Sequence, residues 1–92
     1  MLGLTQLIIL LYIRQQSRKA GRVEITDIQA FAKRELNVRQ TDQTNITVRR
    51  LAERGLVEML PCKTTTYIDS EENEATIAAM MLFCDKATKL AS

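Results

Sequence analysis

The sequence predicts a mainly α domain carrying a small antiparallel β-hairpin or three-stranded sheet. Apolar residues recur at helical spacing in four segments. Two short runs of strand formers, 56–60 and 64–68, are separated by only three residues. Three glycines and one proline in 92 residues leave too few sharp turns for a many-stranded sandwich or barrel. A length of 92 residues implies one domain, 1–92, and a hydrophobic fraction of 46% suits a packed globule.

Each element has its own signal. Leu4 to Lys19 reads as a helix whose Leu4, Leu7, Ile8, Leu11 and Tyr12 form one apolar face. Ile9, Leu10 and Ile13 are apolar as well, and a helix apolar nearly all round is buried on more than one side. A second copy of the chain is the expected cover for that second side. Gly21 can end this helix. Arg22 to Ile25 alternates as a short strand would. Thr26 and Gln29 have the spacing of a capping box, opening a helix from Asp27 to about Leu36 that buries Ile28, Phe31, Ala32 and Leu36. Residues 37–40 form a turn. A third helix starts with Thr41 or Asp42 as N-cap, runs to Arg54 and stops at Gly55. The strands at 56–60 and 64–68 pair as a hairpin across Pro61-Cys62-Lys63. Ser70 caps a final helix from Glu71 to about Leu90, some 30 Å long. Its acidic start and the later Lys86 and Lys89 suit the helix dipole.

Composition excludes several classes of function. There is no histidine, so the usual general base is missing, no catalytic set is visible, and the chain is not expected to be an enzyme. Cys62 and Cys84 stand too far apart for a structural zinc site; two reduced thiols in the cytoplasm are expected, with one disulfide as the alternative. No metal or cofactor is implied. The longest apolar run, Leu7–Ile13, is shorter than the roughly 20 residues a membrane span needs. It also lacks a basic leader and a small-residue cleavage site, so it reads as a buried helix and no membrane partner is expected. The four aromatic residues are dispersed and belong in cores or interfaces. Charge is unevenly spread. Residues 1–63 hold 11 Lys and Arg against 6 Asp and Glu, whereas residues 64–92 hold 2 against 5. Only the first part is suited to face a polyanion.

The third helix carries the functional signal. At 100° per residue, Thr44, Thr47, Val48 and Leu51 share an inward face. Gln43, Asn45, Ile46 and Arg49 occupy the other side and supply the groups that read base edges in a major groove. Arg50, Lys63, Arg39, Arg18 and Arg22 are the candidate phosphate contacts. The run from Thr44 to Val57, with Leu51-Ala-Glu-Arg-Gly55-Leu56-Val57 at its end, resembles the third helix and first wing strand of winged helix-turn-helix regulators of the MarR, PadR and GntR groups. Ile25 to Ala32 resembles their second helix. The hairpin departs from a MarR wing in being shorter and in lacking its usual Asp and Arg.

The resemblance implies a winged helix-turn-helix with long N- and C-terminal dimerisation helices. Residues 22–68 would bind DNA, and residues 1–20 and 70–91 would dimerise through Leu7, Leu10, Ile77, Met81 and Leu82. The expected function is sequence-specific binding of double-stranded DNA by a homodimer, as a cytoplasmic, nucleoid-associated repressor. A plasmid or phage centromere- or replication-site protein on the same fold is one alternative. A winged-helix protein-interaction module that does not bind DNA is another. Met80 and Met81 are expected to fill the dimer interface, with a small-molecule effector pocket between helices as an unsupported alternative.

Overall fold

The computed structural model describes residues 2–91, with side chains through Cys84; Lys86 and Lys89, expected to meet the last helix's dipole, lie outside the described side chains. The order is α1 (Leu4–Ala20), β1 (Val23–Glu24), α2 (Ile25–Leu36), α3 (Thr41–Glu53), β2 (Val57–Leu60), β3 (Thr64–Tyr67) and α4 (Glu71–Ala91). The strands form one antiparallel sheet in the order β1-β3-β2. Val23 pairs with Thr65, and Val57 with Tyr67. The molecule is thus mainly α with a three-stranded sheet.

α1 is the centre of the core. Ile9, Leu10 and Ile13 are fully buried, and they share one cluster with Ile28 and Ala32 of α2, Val48 and Leu51 of α3, and Val57 and Tyr67 of the sheet. This corrects the expected apolar face of α1. Leu4 is 61% exposed and Ile8, Leu11 and Tyr12 are half-buried, while the deepest residues lie at 7, 9, 10 and 13. The helix is apolar nearly all round because α2, α3 and β3 pack on it from different sides within one chain. Leu7, Leu10 and Ile77, expected at a dimer interface, are therefore no more than 3% exposed in the chain's own fold. Tyr12 stacks on Phe31 with ring centroids 4.1 Å apart.

Local signals set most element ends. Gly21 and Gly55 follow α1 and α3 at φ of 87° and 77°, a region that L residues rarely adopt. Asn37 ends α2 at φ 55°, and the Val38 amide donates to the Ala32 carbonyl at 3.1 Å. Ser70 caps α4, its Oγ accepting from the Asn73 amide at 3.1 Å.

Two expected caps are absent. α2 starts at Ile25, with Glu24 as N-cap and no side-chain cap, so Thr26 and Gln29 form no capping box. The sheet takes over that role: β1 pairs with β3 and the Ile25 amide donates to the Lys63 carbonyl at 2.8 Å. α3 likewise starts after Gln40 with no side-chain cap, and Thr41 and Asp42 are its first helical residues. There the Asp42 carboxylate meets the positive end of the helix dipole.

α4 joins this body through its first turns. Asn73, only 8% exposed, donates from Nδ2 to the carbonyls of Gly55 (3.0 Å) and Ile68 (2.7 Å). Glu74 accepts hydrogen bonds from Arg14 of α1 and from the Tyr67 hydroxyl of β3. Beyond Ile77 the helix leaves Met81, Leu82 and Phe83 largely exposed.

Candidate nucleic-acid interface

α3 divides into two faces much as its sequence suggests. Thr44, Val48 and Leu51 are at most 1% exposed and pack inward. Thr47, expected beside them, is half-buried, and its hydroxyl donates back to the Gln43 carbonyl at 3.0 Å. Gln43, Arg49 and Arg50 are exposed, Ile46 is 39% exposed, and Asn45 is half-buried.

Asn45 and Arg49, one helical turn apart, open onto a cleft of about 320 Å³ between α3, the start of α2 and the hairpin. Gln29 lines it from α2, Met59 from β2, and Lys63 from the hairpin turn. Among the described residues two cations and no carboxylate line this space, so its field favours an anion. The hairpin reaches Lys63 through an unusual turn: Cys62 and Lys63 both have positive φ, 63° and 55°. Both lie in the three-residue loop closed by the pairing of Leu60 with Thr64, in a region that L residues rarely adopt. Thr64 steadies the turn by donating from Oγ1 to the Pro61 carbonyl at 2.9 Å.

The other basic candidates are not gathered at this cleft. Arg50 lies with Gln6, Glu53 and Arg54. Arg22 borders a separate hollow with Glu24 and Asp27. Arg39 donates to Asn37 Oδ1 at 3.3 Å. Arg18 pairs with Glu74 at 3.1 Å and Asp69 at 3.4 Å and sits over the Tyr67 ring, so its charge is already shared with two carboxylates. Of the five expected phosphate contacts, only Lys63 lines the cleft with Asn45 and Arg49.

One residue of the site was not legible as such. Gln29 Nε2 donates to Asn45 Oδ1 at 2.9 Å, joining α2 to α3 at the cleft. Its spacing from Thr26 suggested a cap, and no periodicity in α2 signals a partner 16 positions away.

The strongest electrostatic perturbation lies elsewhere, at the base of α4. Hydrogen bonds from Arg14 and then Tyr67 hold the Glu74 carboxyl down to about 2. Burial and the Glu74 bond push the Tyr67 hydroxyl up. This cluster fastens elements together. Among the described residues no group of three or more His, Cys, Asp or Glu could hold a metal ion, and no helix is long and apolar enough to cross a membrane.

The fold and this cleft together define a small helical domain with a three-stranded antiparallel sheet, compatible with a winged helix. No protein-family model matches the chain, and no curated protein or solved structure matches it significantly.

Proposed function

We propose that the chain binds double-stranded DNA sequence-specifically as a homodimer of the winged-helix class, resembling MarR and PadR regulators, and represses transcription by occluding its site. The observation that carries this reading is the cleft where Asn45 and Arg49 of α3 meet Lys63 of the hairpin with no carboxylate among the lining residues. An α-helix fits the major groove, where Arg reads guanine and Asn reads adenine. Gln43 and Ile46 extend the same exposed face, and Ile46 suits a thymine methyl. Lys63 holds phosphate, which fixes register without reading sequence. Dimerisation is supported by the largely exposed Met81, Leu82 and Phe83 on α4. The compartment that goes with this role is the nucleoid-bearing cytoplasm.

A salt titration on preferred and scrambled duplexes tests the roles. Arg49→Ala should remove roughly 1–3 kcal/mol of discrimination at one base pair of each half-site. Lys63→Ala should weaken binding to all duplexes alike and flatten log affinity against log salt by about two units in a dimer. A wild type that binds neither duplex at low salt overturns the reading in favour of a protein-interaction module.

A further inference from the structure

Gln29 belongs to α2, yet its side chain is tied to the helix assigned to base reading. Its Nε2 donates to Asn45 Oδ1 at 2.9 Å, and both residues line the cleft half-buried. Each carboxamide offers an acceptor oxygen and a donor nitrogen. The bond uses one of the two Gln29 Nε2 hydrogens and one of the two Asn45 Oδ1 lone pairs, so Gln29 Oε1 keeps its full capacity to accept and Asn45 Nδ2 its full capacity to donate. Exchanging oxygen and nitrogen on both amides reverses the two roles and leaves the same combination of acceptor and donor. In the major groove adenine sets an N6 donor beside an N7 acceptor. Guanine shows two acceptors, thymine an acceptor and a methyl, and cytosine a donor. Among single base edges, a donor with an acceptor is the complement of adenine.

We propose that Gln29 and Asn45 act as a single adenine-reading unit in each protomer, with Gln29 as the specificity-determining partner. The proposal rests on the DNA-binding reading above. The physical gain is preorganisation. A lone Asn amide on an exposed helix face rotates and can present its donor or its acceptor to any base, whereas the bond from α2 restricts that choice before DNA arrives. The lining residues include no carboxylate that could take the Asn45 donor instead.

Selection of duplexes from a randomised library by the full chain tests this, with melting temperatures recorded for each variant. Wild type should enrich an A·T pair at one position per half-site. Asn45→Ala and Gln29→Met should each lower that preference by about ten-fold, and the double variant should lower it no further. The position relaxed by Arg49→Ala should be unaffected by Gln29→Met. Gln29→Glu should shift the adenine position towards cytosine, because a carboxylate accepts one Asn45 Nδ2 hydrogen and turns the Gln29 end of the pair into acceptors alone, which favours a base edge that donates. This variant keeps the bond between α2 and α3, so it remains informative if Gln29→Met fails to fold. Unchanged adenine preference in Gln29→Met, or unchanged preference in Gln29→Glu, overturns the paired unit while DNA reading stands. A wild type that enriches no sequence overturns both.

Discussion

Thr44 turns its hydroxyl into the core, where the residue is 1% exposed and Oγ1 has no hydrogen-bond partner among the described residues. A buried polar group left unsatisfied carries its full desolvation cost, so replacing it with an apolar group of the same shape removes a cost and loses no bond. Thr44→Val should leave stability unchanged or raise it by about 1 kcal/mol. Its neighbour on the same face behaves oppositely. Leu51 is fully buried, and Leu51→Ala should cost about 2–5 kcal/mol through the cavity it leaves. At Gly55 none of the described residues stands within 4 Å of where a Cβ would be; the backbone itself, at φ 77°, is the constraint. Gly55→Val should then cost roughly 1–2 kcal/mol, less than Leu51→Ala. Thermal or urea unfolding ranks the three variants, and a destabilised Thr44→Val would mean that its hydroxyl has found a partner.

At the scale of elements, the hairpin turn and the base of α4 carry the informative chemistry. Cys62 and Lys63 sit in the left-handed region where a non-glycine residue costs roughly 1–2 kcal/mol. Asn tolerates that region better than Cys, so Cys62→Asn should stabilise the domain by roughly 0.5–1 kcal/mol. It should also leave Lys63, and therefore the salt dependence of the proposed DNA binding, untouched. α4 depends on pH through Glu74. Its folded-state value of about 2 lies below the ordinary 4.5 because Arg14 and Tyr67 donate to the carboxylate. A depressed carboxylate adds stability that is complete above its ordinary value and disappears as pH falls towards the folded value. Wild type should therefore be more stable than Glu74→Gln at pH 7, with the gap narrowing between pH 4.5 and 2. Urea melts of both proteins at neutral and acid pH measure that gap. An equal gap at both ends would place the stabilisation outside the carboxylate's charge.

For the molecule as a whole, the proposed assembly can be tested apart from folding. A chain of this size buries only about 60–65% of its unfolded surface, so covering more apolar area adds stability. Three consecutive residues of α4 leave such surface uncovered: Met81, Leu82 and Phe83 are 46%, 61% and 58% exposed. Met81→Glu and Leu82→Asp should leave the protomer's melting at low concentration nearly unchanged. Both should shift a micromolar dimer to monomer, because each would bury an unpaired charge at the interface. Sedimentation across concentration reads this directly; wild type that stays monomeric at all concentrations rules out dimerisation through α4.

The candidate site was legible in part. Helical geometry alone set inward Thr44, Thr47, Val48 and Leu51 against outward Gln43, Asn45, Ile46 and Arg49; burial agrees for Thr44, Val48, Leu51, Gln43, Ile46 and Arg49, whereas Thr47 and Asn45 are half-buried. The positive φ at Gly55, the Ser70 cap and the two hairpin strands were readable for the same reason: each is set by residues within a few positions of one another. Three features depend on contacts between distant segments and have no local signature. α1 is surrounded by its own chain, so its all-round apolar character did not require a second copy. The pairing of β1 with β3 replaces the expected cap of α2. Gln29 reaches Asn45, and Lys63 shares their cleft while Arg18 is drawn to Glu74 and Asp69. Periodicity and capping chemistry are short-range and so are written along the chain. Which side chains finally meet depends on how the elements pack, and that was decided only in the tertiary structure.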